Sequence, residues 1–157
     1  YSKVVFTKAN NHETMCDRCR RLVWPSEKAV ENLTCRGLGH DISLALARYG
    51  AHVVACSRTE SELETVAEKI KAMGRQAIPV PMDVSDIRSI RPMVDRAVEA
   101  FGRIDILVNN AGIYPCTPFH ELSEQEWDQV QGTNLKGPFL CSQAVAASTN
   151  RRRNRAP

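Results

Sequence analysis

Between residues 42 and 130 the chain switches repeatedly between two hydrophobic periods, and this alternation constrains its fold more than any other feature. Ile42, Ala45, Leu46 and Tyr49 recur at i, i+3, i+4 and i+7, one face of a helix that Gly50 stops. AHVVAC, residues 51 to 56, follows as a short apolar run rich in β-branched side chains, the pattern of a buried strand. Thr59 and Glu62 have capping-box spacing and open a helix with the apolar face Leu63, Val66, Ala67, Ile70 and Met73, ended by Gly74. QAIPVPM, residues 76 to 82, is the next strand, and Pro79 and Pro81 place it at a sheet edge. Ile87, Ile90, Val94, Ala97, Val98 and Phe101 form a third helical face, which Gly102 closes. IDILVNN, residues 104 to 110, is an apolar strand running into polar residues, and Ser123 with Glu126 caps a fourth helix through Trp127 and Val130.

Strands that are apolar nearly throughout need cover on both faces, and the intervening helices provide it. The expected fold class is therefore α/β, a doubly wound parallel sheet with strands near 52–56, 76–80 and 104–108. A chain of 157 residues makes one domain, able to bury roughly two-thirds of the surface its unfolded form exposes.

The two ends read differently. Residues 1 to 31 carry no clear period and form a divergent N-terminal segment, with 32–147 as the α/β domain. A doubly wound fold needs a buried strand just before its first turn, yet that place holds EKAVEN, with Glu27, Lys28 and Glu31 at apolar positions. If the stretch near 28–33 pairs as the first strand, the expected spatial order is third, second, first, fourth. After CSQAVA the chain becomes ASTNRRRNRAP, and residues 148–157 read as a basic tail.

Composition narrows the function classes. The net charge of +3 is more than supplied by RRRNRAP, so the body is close to neutral, and a short terminal charge run is a solvated tail rather than a nucleic-acid site. No apolar run approaches the ~20 residues of a membrane span, and YSKVVFTKANNHE lacks the apolar core of a secretory signal. Of six cysteines, four are scattered through segments that read as strands, helices and connecting loops, which points to a reduced, cytoplasmic protein. Cys16 and Cys19 have CxxC spacing, but His12 and Cys35 add no characteristic zinc pattern, so no metal is expected.

Asn32 to Gly39 reads NLTCRGLG and runs directly into a helix. Glycine at such a turn permits a tight bend and close approach of the backbone to a pyrophosphate, while the helix N-terminus offers free N–H groups to the anion. Gly37, Leu38 and Gly39 alone are a weak signal, since Ile42 occupies the third position of the G-x-G-x-x-G spacing. Twenty residues after Gly37, where a carboxylate would bind the ribose 2′-hydroxyl of NAD, stand Ser57 and Arg58. A guanidinium there suits a 2′-phosphate, and Arg36 offers a second positive charge.

The order RGLG, SR at the end of a strand, MDVSD, NNAG and NLKG resembles the short-chain dehydrogenase/reductase family over Cys35 to Ala147. Gly37 and Gly39 match the last two glycines of that family's G-x-x-x-G-x-G pattern, and Leu33 replaces the first. The resemblance implies a Rossmann-type sheet, incomplete here at strands one to four, and an NAD(P)-dependent oxidoreductase acting on a carbonyl or secondary alcohol. Sequence style is similar to 3-oxoacyl-carrier-protein reductases and to sugar or steroid dehydrogenases. The resemblance also implies that Asp83 and Val84 lie against adenine and that Asn110, Ala111 and Gly112 pass beside the cofactor riboses. Asn134 matches the asparagine that supports a proton-relay water. A plain turn cap is the competing role for Asp83.

The family's catalytic tyrosine has a lysine four residues on; here Val5, Val53 and Pro118 follow Tyr1, Tyr49 and Tyr114 at that spacing. The chain on its own is therefore expected to bind NADP in preference to NAD without turning over a carbonyl. The competing reading is a non-catalytic nucleotide-binding or interaction module that engages a partner, a second copy included, through the region Glu121 to Ala147.

Overall fold

A computed structural model describes Val4–Lys8 and residues 37–153 of the chain. A four-stranded sheet in the order β3-β2-β1-β4 forms the centre. The strands are β1 (Val4–Lys8), β2 (His52–Ser57), β3 (Ala77–Pro81) and β4 (Ile106–Asn109). Helices α1 (Leu38–Arg48), α2 (Glu60–Ala72) and α3 (Ile87–Phe101) alternate with β2, β3 and β4. A 3₁₀ turn (Phe119–Glu121) then leads to α4 (Glu124–Gln131), a π-helical turn (Gly132–Lys136) and α5 (Gly137–Arg153). Helix α5 thus continues past Ala147 into the arginine-rich stretch.

The helix stops lie where the glycines foretell. Gly50, Gly74 and Gly102 take positive φ of 96°, 72° and 79°, a region that costs glycine alone nothing. Ser123 and Glu126 form the expected capping box. Thr59 does not: it occupies the N-cap of α2, but its side chain makes no cap bond. Instead its own N–H donates to Ser57 Oγ (3.3 Å), which ties the start of α2 to the end of β2.

Strand β2 is buried on both sides, and its alternate residues feed two cores. Val53 and Ala55 pack with Leu46, Ala47, Leu63, Val66, Ala67 and Ile70, which come from α1 and α2. Val54 and Cys56 pack with Ile90, Met93, Val94, Ala97 and Phe101 of α3 and with Cys141 of α5. Helices on both faces make the sheet doubly wound. Fully buried side chains such as Leu63 and Ile70 each contribute about 1.5–3 kcal/mol.

β2 and β3 are parallel, with Val53 opposite Ala77 and Cys56 opposite Val80. β1 is antiparallel to both its neighbours, Val4 lying opposite Cys56 and Asn109. β2 and β4 therefore point the same way, as the sequence predicts, with β3 at the expected edge. The central strand departs from expectation. The expectation that residues 1 to 31 stay apart from the fold fails at Val4–Lys8, and the sheet's central strand runs backwards. Strands β2 and β4 leave between them a slot of unpaired N–H and C=O groups whose burial would cost free energy. VVFTK, mostly β-branched and aromatic, satisfies both edges at once. The stretch near 28–33, proposed above as the first strand, lies outside the described residues.

Candidate functional site

Because β2, β3 and β4 share one direction, their carboxyl ends lie along one edge of the sheet, the edge where open α/β sheets bind ligands. Four groups of residues meet there. The first is the turn into α1. Gly37 is its N-cap with φ 77°, a conformation that favours glycine, and it brings no side chain of its own to cap the helix end. The His40 N–H folds back onto Gly37 O (3.0 Å). Leu38 is exposed, while Gly39 is buried and its carbonyl accepts the Ser43 hydroxyl (2.6 Å). The N-terminus thus presents backbone N–H groups and the positive end of the helix dipole. His40 is buried behind the turn. Lys69 can only donate, so the imidazole Nε2 accepts from it (3.3 Å) and Nδ1 faces Asp41 (2.9 Å).

The second group is the end of β2. Ser57 is buried and its hydroxyl is used by Thr59, whereas the Arg58 side chain is 53% exposed and reaches out over the sheet edge. The third group is the turn after β3, joined to β2 by the Met82 N–H to Ser57 O bond (2.9 Å). Asp83 Oδ1 accepts from Ser85 N–H (2.9 Å) and Ser85 Oγ (2.7 Å), so Asp83 does cap its own turn. Its other oxygen, Oδ2, lies 3.9 Å from Arg58 Nη1. Val84 points into the core, and Asp86 caps α3 by accepting the Arg88 N–H (3.1 Å). The Arg88 side chain also bonds Asp86 and holds its carboxyl below the usual carboxylate range.

The fourth group follows β4. Asn109 Nδ2 donates to Ser142 Oγ (3.2 Å) on α5, Ala111 is buried, and Asn110 and Gly112 are half-buried. Asn134 sits in the π-helical turn between α4 and α5, a device common at functional sites. Its Oδ1 accepts the Ile113 N–H and its Nδ2 donates to Ile113 O, both at 2.9 Å. Both side-chain groups are thus committed to the loop after Gly112, making Asn134 the clamp of that loop.

Gly137, one residue beyond the π turn, has a positional role that sequence reading misses. A β-carbon there would stand 2.7 Å from Val84 Cγ2 and 2.9 Å from Val84 O. Only glycine lets α5 approach the turn that carries Asp83. The NLKG motif contained that signal, but nothing local to it names Val84 as the neighbour. Asn109 and Ser142 are likewise visible only in three dimensions.

Arg36, and with it His12, Cys16, Cys19, Cys35 and Leu33, lies outside the described residues. Among the described residues no group of three or more His, Cys, Asp or Glu side chains could hold a metal ion. No helix among them is long and apolar enough to cross a membrane. Burial pushes the Cys141 thiol up to about 11 and the Cys56 thiol higher still, so neither supplies a thiolate at neutral pH. What the edge offers instead is a glycine-capped helix end, a guanidinium, a fixed carboxylate and a clamped polar loop. That set fits an elongated anionic ligand such as a dinucleotide.

Comparison with known proteins agrees. Residues 34–155 match the short chain dehydrogenase family. The chain is 39% identical over 132 residues to a 3-oxoacyl-(acyl-carrier-protein) reductase of Staphylococcus aureus, covering 83% of this chain and 54% of that protein. It is 42% identical over 110 residues to a 2-dehydro-3-deoxy-D-gluconate 5-dehydrogenase of Dickeya dadantii, covering 70% and 43%. Among solved structures, a short chain dehydrogenase from Burkholderia cenocepacia in complex with NADP superposes with a TM-score of 0.69. It is 37% identical, over 71% of this chain and 46% of that one. The chain spans about half the length of the curated relatives it matches.

Proposed function

The chain belongs to the short-chain dehydrogenase family, and from that premise we propose that it is the cofactor-binding part of an NADP-dependent oxidoreductase acting on a carbonyl or secondary alcohol. The observation that carries the cofactor choice is Arg58, half-exposed at the carboxyl end of β2, where a carboxylate would otherwise select NAD. Arg58 would hold the 2′-phosphate, with Arg36 as a second charge, and the Gly37–Leu38–Gly39 turn the pyrophosphate. Asp83 and Val84 would border the adenine, and Ser57 would shape the strand end behind it. Asn110, Ala111 and Gly112 would line the riboses, with Asn134 fixing the loop they belong to. The bound cofactor supplies the redox chemistry; the residues here bind and orient it. The relatives named as a 3-oxoacyl-(acyl-carrier-protein) reductase and a 2-dehydro-3-deoxy-D-gluconate 5-dehydrogenase support a 3-oxoacyl or sugar-acid substrate for the whole protein.

Calorimetric titration with NADP and NAD tests the assignment: NADP should bind more tightly, and Arg58→Asp should reverse the order. Equal affinities in the parent chain would refute it. The chain lacks a Tyr-x-x-x-Lys set, so NADPH absorbance should stay constant with a panel of ketones and aldehydes. Turnover that survives repurification and is lost in Asn134→Ala would mean that other residues build an active site.

A specific observation favours the second reading, a non-catalytic interaction module. Trp127, Leu135 and Phe139 are 51%, 66% and 61% exposed along α4, the π turn and α5. Exposed large apolar side chains suit an interaction surface if they lie together. Failure of both cofactors to bind, with a partner or a second copy covering Trp127, would decide for it.

A further inference from the structure

Asp83 and Arg58 are the two charged side chains of the site that face each other, and they differ in freedom. Asp83 is fixed through both its side chain and its backbone carbonyl. Its Oδ1 accepts from both Ser85 N–H and Ser85 Oγ, and its carbonyl accepts the Ser89 hydroxyl at 2.9 Å. Its Oδ2 is left to face Arg58 Nη1 at 3.9 Å, an ion pair beyond hydrogen-bond length. Arg58 is the long, exposed partner just after β2, and among the described residues its side chain makes no hydrogen bond. A long exposed arginine beside a fixed carboxylate is drawn toward it. The same carboxylate is also a like charge to any phosphate that Arg58 receives.

We propose that Asp83 is the positioning residue that sets how strongly this chain discriminates NADP from NAD, by competing with the 2′-phosphate for the Arg58 guanidinium. The inference rests on the assignment of Arg58 to the 2′-phosphate and deepens it. NADP and NAD differ only in that phosphate, so their affinity ratio is blind to any contact Asp83 makes with adenine. Asp83→Asn keeps the Oδ1 acceptor and so the turn with Ser85, while it removes the charge facing Arg58. The ratio should then rise in favour of NADP by about two- to five-fold, the range of an exposed ion pair. Any change the variant makes on the adenine side moves both affinities together and cancels from the ratio.

The experiment is a double-mutant cycle on the full chain, with NADP and NAD titrated into the parent, Asp83→Asn, Arg58→Gln and the double variant. A rise in the ratio for Asp83→Asn that disappears in the Arg58→Gln background supports the proposal. An equal rise in both backgrounds overturns it, because Asp83 would then act on the phosphate directly. An unchanged ratio overturns it as well. A parent that does not discriminate, paired with an Asp83→Asn variant that does, would refute parental NADP preference while supporting the inference. Absence of discrimination in both chains would refute both. Circular dichroism melts of all four chains keep misfolding from passing as an altered ratio; if Asp83→Asn melts early it is replaced by Asp83→Ser, and if Arg58→Gln does, by Arg58→Met.

Discussion

Gly137→Ala should destabilise the chain although alanine is the better helix former, and the size of the effect follows from one contact. Backbone dihedrals at Gly137 are helical, φ −57° and ψ −56°. On propensity alone, alanine would therefore gain about 1 kcal/mol there. Its β-carbon, however, would stand 2.7 Å from Val84 Cγ2, 2.9 Å from Val84 O and 3.3 Å from Gly132 O. Rotating the valine relieves the first contact. The second is backbone, and the Asp83–Ser85 turn and the Ser89 hydroxyl pin it in place. Overpacking of this kind costs about 1–3 kcal/mol, and because the clash involves a pinned carbonyl the upper half of that range applies. The expected net loss is about 1–2 kcal/mol, a fall in melting temperature of roughly 3–8 °C. Thermal and urea denaturation followed by circular dichroism measure it. Gly112→Ala serves as the control, since its β-carbon would meet only Asn134 Oδ1, at an ordinary 3.7 Å. A Gly137→Ala chain at least as stable as its parent would refute the close-approach argument. So would equal losses at both glycines.

Asn134→Leu should cost about 1–3 kcal/mol despite the exposure of Asn134, because two bonds to Ile113 are lost; hydrogen exchange should quicken first at the Ile113 amide. Ser123→Ala should cost about 1 kcal/mol by removing the capping box, whereas Thr59→Ala, where no side-chain cap bond exists, should stay within about 0.5 kcal/mol by urea denaturation. Hydrogen bonds from Thr117, then the Ser123 backbone and hydroxyl, lower the Glu126 pKa in the folded chain. A lowered folded value means that this contribution is full above the ordinary glutamate pKa, about 4.3, and is lost as pH falls through the lower one. The difference in urea midpoint between the parent and Glu126→Gln should therefore be larger at neutral pH than in acid.

Much of the fold was legible because its signals are local. Leu63, Val66, Ala67 and Ile70 announce a helical face by spacing, and Gly50, Gly74 and Gly102 announce helix ends through the positive φ they alone adopt freely. The Arg58 position was legible by its count from Gly37. What stayed hidden is set by tertiary context. Val4–Lys8 has only three apolar residues in a row, and nothing in VVFTK says that a slot between β2 and β4 awaits it, or in which direction. Thr59 and Glu62 have capping-box spacing, but the neighbouring Ser57 hydroxyl takes the Thr59 N–H and the box does not form. Gly137 needs Val84, 53 positions away in the sequence, before its role can be seen.

The central claim is that one edge of the sheet, at the carboxyl ends of β2, β3 and β4, is a site for NADP. Amide chemical-shift mapping during titration with NADP tests it most directly, because it reports where the ligand lies whether or not any reaction follows. The account predicts the largest shifts at Gly37–Gly39, Ser57–Arg58, Asp83–Val84 and Asn110–Gly112, with α4 and the far end of the sheet near Gly50 and Gly74 unmoved. Shifts confined to Trp127, Leu135 and Phe139, or no shifts at millimolar NADP, would contradict it.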